Sequence, residues 1–503
     1  DWLALVGEDF DFTPPEPWPR GHNDQARAQK EWDDISGSTG TLQGLHKRLY
    51  KMQWAPGDFR EQMTARYGAE NENVWNPNGD TDGFWLHDRS GSLNAVCGFL
   101  RTLGVRWYMP GELGVVVPDQ KTIVLPEVNE TARPDFPLRY WLGPYGAYPL
   151  KDVMWERHIG MASSHEMLGL SAVHGMRAIL GDKEMQRSHP EYYAFYGGER
   201  DTYHRGTGSG CYGSRGLTQV TVAYARMQYD KLDLPHISLW PPDGYKQCGC
   251  EKCRDRNSSE LVWRFVDRVA RQLYESHPDR LVSCGAYTPY INPPESVDKF
   301  PRNVVVFIST RGRPMFDDPE RWQRYWENLQ GWREKVAPGH IIRNENNRYG
   351  LAGGRTGKLT YPTFHMHNMA KDLQAVKGIS MGDWNEVSRT KVRRHAPYTW
   401  KSPAVDHVTL YVNARFLWNA DRDVDALLDD YYAKFYGPVG DKVKKAFTFA
   451  ETNMTPRGDN ELADTVTFLE QLEVACREAG STVYGERVQA VIDAFNPLEE
   501  LRE

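Results

Sequence analysis

The chain has 503 residues, 40% of them hydrophobic and 26% charged, with a formal net charge of −7. That length fits two or three globular domains. The mixed charge forms no basic stripe for nucleic acid, and no apolar run approaches the ~20 residues that span a bilayer. Aromatic residues reach 12%, with 17 Trp and 26 Tyr; such rings fill large cores and also stack on the C–H faces of sugars. The chain begins at Asp1 without a methionine, which suggests a processed or truncated product. Its last segment, 496–503, stops in charged helical sequence, which suggests that the natural protein continues.

The first 75 residues or so are polar, rich in Trp and Pro, and weakly patterned. Ser92–Leu103 then places Leu93, Val96, Phe99, Leu100 and Leu103 on one helix face, with Gly104 as its C-cap. VRWYMPGELGVVVP reads as a short strand and turn and TIVLP near Leu125 as another strand, giving a small α+β domain that ends near residue 132. From Phe136 onward strand-like and helix-like segments alternate. Strands are expected within 138–146, 235–243, 280–290, 303–311, 340–350 and 377–387, and helices over 258–277 and 319–336. Alternating units without a Gly-rich phosphate loop predict an α/β fold, a (β/α)8 TIM-like barrel. Its remaining early strands are expected between Tyr148 and Val222, where the pattern is irregular. NADRDVDALLDDYYAKFYG and two more amphipathic segments from Asp441 to Phe495 read as a C-terminal helical segment. The expected bounds are 1–132, with the α+β domain at about 76–132, then 133–440 for the barrel and 441–503 for the helical segment.

Barrel enzymes build their sites where strands end at the C-terminal face. That rule selects Asp243 at the end of the 235–243 window, Trp240 just before it, Tyr287 and Tyr290, Arg311, Asn344 and Glu345, and Asp383, Trp384 and Glu386. His165 and Glu166, in SSHEML, are placed after an early strand. Acids at separate strand ends beside Trp and Tyr suit glycoside hydrolysis, in which one carboxylic acid protonates the leaving oxygen and a second group stabilises or attacks the oxocarbenium-like centre. Each residue also has a plainer role: Asp243 as a turn former in PPDG, Glu386 as a helix cap, Glu345 as an ion-pair partner, His165 as a hydrogen-bonded rim residue. The candidate catalytic residues are Asp243, Glu386 and Glu345, and the others bind substrate. Arg311 or Arg343 would pair a substrate carboxylate if the sugar is a uronic acid.

Cys248, Cys250 and Cys253 form C-G-C-E-K-C, with Cys211 upstream. Four thiols suit either a structural zinc or two disulfides, and the absence of paired C-x-x-C spacing favours disulfides. Either would brace the loop that presents Asp243. Cys97, Cys284 and Cys476 read as buried apolar positions. A serine-hydrolase reading lacks its G-x-S-x-G elbow, and His365 and His367 in FHMHN lack a third ligand nearby. No catalytic metal and no cofactor is expected. The expected partner is an oligosaccharide or polysaccharide, with neither nucleic acid nor a membrane span.

Several motifs carry a family resemblance. DRSGSLNAVCGFLRTLGVRWYMPGELGVVVP resembles the small domain that precedes the barrel in α-glucuronidases and β-hexosaminidases. HPEYYAFYGGER, Cys211, SLWPPDGYKQCGCEKC, NPP and FLWNADRDVDALLDDYYAKFYG resemble the DUF4838 family over about residues 80 to 440. Some of its members form glycoside hydrolase family 163, endo-β-N-acetylglucosaminidases acting on N-glycans. The resemblance implies a secreted or periplasmic bacterial hydrolase acting at an N-acetylhexosamine, with Asp243 as general acid or as the residue orienting a substrate acetamide. The Asp-Glu pair of β-hexosaminidases is absent, since Gly244 follows Asp243. An α-glucuronidase-like uronidase and a non-catalytic glycan-binding barrel are the alternatives.

Overall fold

VVVFIS at 304–309 is a continuous apolar run with no polar alternation, as expected of a strand covered on both faces, and every residue in it is buried. It is the centre of a six-stranded parallel sheet in a computed structural model of the chain. The structure describes residues 3–10, 89–142 except 126, 150–162, 173–232 except 204 and 205, 234–309, 318–345, 364–386, 403–405, 407–454 and 461–495. The strands are β1 (Leu138–Leu142), β2 (His236–Ser238), β3 (Leu281–Ala286), β4 (Val304–Ser309), β5 (Ile341–Glu345) and β6 (Ser380–Glu386). They run in the order β1-β6-β5-β4-β3-β2. The last strand therefore pairs with the first, and the sheet curls into half a barrel. All six lie inside the windows expected from the sequence.

Helices cover the outer face, and their ends follow from local chemistry. α1 (Gly91–Thr102) stops at Gly104, whose φ of +94 admits the left-handed turn, while the Val105 N–H donates to the Leu100 carbonyl at 3.1 Å. α2 (Leu150–His158) follows β1, and α3 (Arg215–Leu232) precedes β2. α4 (Ser258–Ser276) starts on Asn257, whose side chain accepts from the Glu260 N–H. α5 (Pro319–Lys335) pairs the Asp318 cap with Pro at its first position. Trp263 of α4 and Trp332 of α5 are fully buried with ring centroids 4.2 Å apart. α6 (Met366–Val376) and α7 (His407–Trp418) flank β6 in sequence.

Around this half-barrel stand α8 (Val424–Tyr436), α9 (Gly440–Asn453), α10 (Glu461–Ala479) and α11 (Val483–Ala494). The described residues of the tail from 440 thus form three helices rather than two segments: Gly480 at φ +59 and the Thr482 cap divide the last one. Arg106–Trp107 pairs antiparallel with Val115–Val116, as the strand-and-turn reading expects. TIVLP forms no strand in its described residues, because Ile123, Val124 and Leu125 are 59–80% exposed and nothing covers them. The described part of 148–222 adds no strand to the parallel sheet. Among the described residues no helix is long and apolar enough to cross a membrane.

Candidate active site at the strand ends

Partners across a parallel sheet share a face, and successive residues alternate faces. The register aligns Tyr140, Trp384, Asn344 and Ser309 in one row near the strand C-termini. The Tyr140 and Trp384 rings lie 6.1 Å apart. Asn344 and Ser309 are 5% and 3% exposed, and Asn344 Oδ1 and Ser309 Oγ find no hydrogen-bond partner among the described residues. A buried polar group left unpaired costs about 1–3 kcal/mol. A row of such groups beside aromatic rings is arranged for a polar ligand rather than for stability.

Trp240, two residues beyond β2, extends this face. Its indole lies over Gly285 of β3, where a Cβ would come within 2.2 Å of Trp240 Cε2. Trp240 Nε1 donates to Tyr290 Oη at 3.1 Å, and the ring meets Tyr287 and Phe307 at 5.9 Å each. Tyr290 is buried, which pushes its phenol well up and keeps it a neutral partner for the indole; Tyr287 is partly exposed. His174 packs 5.4 Å from Trp240 and takes the left-handed backbone at φ +51. Its Nδ1 lies 2.7 Å from the Pro241 carbonyl, so that nitrogen carries the proton. Non-glycine residues in this backbone region concentrate at functional sites. Asp243 is exposed at the turn that Gly244 closes with φ +84.

The opposite face of the sheet holds a different polar group. Arg343 is fully buried and pairs with Asp372 of α6 and, at 3.0 Å, with Asp383 of β6. Asn413 of α7 reaches Asp383 at 3.5 Å and accepts from Trp141 Nε1 at 2.9 Å. Burial outweighs the guanidinium and pushes Asp383 up to about 6, and Asp372 is raised by the same cause. Two expectations change here. Arg343 faces the helix layer and cannot grip a substrate carboxylate, and Asp383, with no exposed surface, braces β5 to β6 and α6 instead of lining the rim.

Glu345 and Glu386 end neighbouring strands, Glu345 opposite Asn385 and Glu386 opposite Leu142. Asp243 follows β2, three strand steps from β5 and four from β6. At about 4.8 Å per step those are roughly 14 and 19 Å along the sheet. By the same alternation Glu386 falls on the face of Trp384 and Asn344 whereas Glu345 falls on that of Arg343 and Asp383, so the register sets the two glutamate positions on opposite faces and Asp243 apart from both. His165, Glu166 and Arg311 lie outside the described residues. Sequence reasoning missed Tyr140, Ser309 and His174. The strand-end rule points to the first two, while the backbone of His174 carries no sequence signal.

The cysteine block also departs from expectation. Cys211, Cys248, Cys250 and Cys253 are all free, with Cys211 Sγ 3.6 Å from Cys248 Sγ and 3.8 Å from those of Cys250 and Cys253. A disulfide needs about 2.05 Å, so the expected pair of bridges is not formed. Cys97 and Cys284 are buried as expected, whereas Cys476 is half-buried. A cavity of about 1350 Å³ lies at the other end of the sheet, lined by Arg101, Arg139, Arg415 and Arg422 together with Asp423 and Asp430. It is remote from the strand-end row, and barrel chemistry belongs to the C-terminal face; the row is the better candidate.

The family described as "Domain of unknown function (DUF4838)" matches residues 109–448, about two thirds of the 503-residue chain. The chain belongs to the DUF4838 family. The DUF4838 region contains all six strands, the strand-end row and all four clustered cysteines, whereas α1, α10 and α11 lie outside it. No curated protein and no solved structure matches the chain.

Proposed function

We propose that the chain is a glycoside hydrolase acting at an N-acetylhexosamine of a complex glycan, built on a closed (β/α)8 barrel. The carrying observation is the row of Tyr140, Trp384, Asn344 and Ser309, aromatic rings beside buried polar atoms at the ends of parallel strands. Closure is supported by β1 pairing with β6 on one side while the Ala162 N–H donates to the Arg139 carbonyl at 2.9 Å. The chain after α2 thus runs beside β1 where a second barrel strand belongs. With two strands between β1 and β2, β2 is fourth and β6 eighth, on opposite sides of the mouth. Asp243 and Glu386 then flank a sugar from its two sides, one donating a proton to the leaving oxygen and the other stabilising the positive centre. Trp384 and Tyr287 supply ring faces for the sugar, and Asn344 and Ser309 hydrogen-bond its hydroxyl or acetamide groups. The N-acetylhexosamine and an exported location rest on the resemblance to family 163.

Turnover of N-glycans and aryl N-acetyl-β-glucosaminides tests the proposal. Asp243→Asn and Glu386→Gln should each lower the rate about 10²–10⁴-fold while the melting temperature holds. Full activity in both variants refutes the assignment. Turnover of aryl glucuronides alone would make the chain a uronidase, and glycan-array binding without turnover would make it a lectin-like barrel.

A further inference from the structure

The four-cysteine cluster is independent of the active-site reading. Cys211 Sγ stands 3.6, 3.8 and 3.8 Å from the sulfurs of Cys248, Cys250 and Cys253, and all four Sγ atoms lie within 4.8 Å of one another. Four thiolates around one zinc at about 2.3 Å stand about 3.8 Å apart along the edges of the tetrahedron. The cluster has that size. Thiolates bridged by a polynuclear iron–sulfur cluster would have to spread around several metal atoms, beyond this compact spacing.

The surroundings suit bound thiolates. Cys211, Cys248 and Cys253 are at most 2% exposed, so the sulfurs sit away from water. The Phe195 N–H donates to Cys248 Sγ at 3.2 Å, an outer-shell contact of the kind that orients metal ligands. A turn closes between the last two cysteines, the N–H groups of Cys253 and Arg254 donating to the Cys250 carbonyl at 2.8 and 2.9 Å. Gly213 leaves room where a Cβ would stand 2.7 Å from Cys253 Sγ. The positive charge of Arg268 acts on Cys253 and offsets part of the negative charge of four thiolates.

We propose that Cys211, Cys248, Cys250 and Cys253 bind one structural zinc ion. Four protein sulfurs fill a tetrahedral site and leave no position for water, so the ion is a clamp and not a Lewis acid. It ties two segments distant in sequence. Cys211 follows the hairpin of Phe195–Tyr196 with Glu199–Arg200 and precedes α3, while the other three cysteines continue the loop that begins at β2 and carries Trp240 and Asp243. The Gly249 N–H donates to the Phe195 carbonyl at 2.8 Å across the same junction.

The test uses the full chain purified without added metal. Elemental analysis should find about one zinc per chain, and mercurial titration of the thiols should release it. Cobalt exchange should give the intense thiolate-to-metal absorption of a four-sulfur site. Cys250→Ser, at the most exposed of the four, should lower zinc content about tenfold or more, whereas Cys476→Ser should leave it unchanged. If Cys250→Ser does not fold, the metal content and cobalt spectrum of the native chain still decide. An intact mass four hydrogens lighter with no metal, four reagent-accessible thiols with no metal, or stoichiometric iron in place of zinc would each overturn the proposal. None of these readouts depends on glycosidase activity.

Discussion

His367 illustrates how a single side chain acquires a role that its motif does not state. In FHMHN it suggests a metal ligand, yet Glu451 holds its Nδ1 at 2.7 Å and Asp425 its Nε2 at 3.2 Å. The hydrogen bond to Glu451, followed by the smaller effect of Asp425, raises the imidazole to about 9. A raised imidazole stabilises the fold fully below its ordinary value near 6.5, and that stabilisation is lost as pH rises through about 9. Partial exposure holds the effect to about 1 kcal/mol or less. Melting temperature should therefore fall more steeply between pH 6.5 and 9 in the native chain than in His367→Gln; equal slopes would sink this account. Arg343 offers a stronger effect. Arg343→Met strands the Asp372 and Asp383 carboxylates in the interior and should cost about 3–5 kcal/mol in urea unfolding. A neutral outcome would mean that both acids are protonated already.

At the scale of elements, β4 and its neighbours were legible because strands buried on both faces must be apolar throughout. TIVLP is also rich in β-branched and apolar residues yet forms no strand in its described residues, since β propensity reports packing against neighbours that this segment lacks. Gly382 shows the reverse dependence on tertiary context. Its φ is +145, and a Cβ there would stand 1.7 Å from the Leu138 carbonyl oxygen across the β1–β6 junction. Gly382→Ala should destabilise by roughly 1–3 kcal/mol and speed amide exchange across β1 and β6, with β3 and β4 less affected. Unchanged exchange in β1 would show that the strands part without cost. The split of the tail into α10 and α11 was readable in Gly480-Ser481-Thr482, a turn glycine followed by a capping threonine.

Over the whole molecule, the segments flanking the sheet are joined by a few buried polar contacts. Arg487 of α11, 6% exposed, donates to the carbonyls of Leu113, Val115 and Phe435, each at 2.9 Å. Arg106 pairs with Asp430 at 2.7 Å, and Tyr108 Oη donates to the same carboxylate at 3.0 Å. Arg487→Met would leave three carbonyls without that donor and should cost about 3 kcal/mol. Faster amide exchange at Tyr108, whose N–H donates to the Gly114 carbonyl at 2.8 Å, would locate the loss at the hairpin. Destabilisation below about 0.5 kcal/mol would show that water replaces the guanidinium.

The sequence by itself determined the periodic part of this protein: the six strand windows, the helices over 92–103, 258–277 and 319–336 and the Gly104 cap, because side-chain spacing and backbone preference act over a few residues. It also located the acids and aromatic residues near strand ends, since the end of an apolar run is a local signal. Tertiary structure alone decided which of those residues meet. Strand register placed Asn344 beside Trp384 and Ser309, alternation sent Arg343 and Asp383 to the helix-facing side, and folding gathered four sulfurs from two distant segments. Each of these depends on where a second chain segment lies, and no window of local sequence contains that distance.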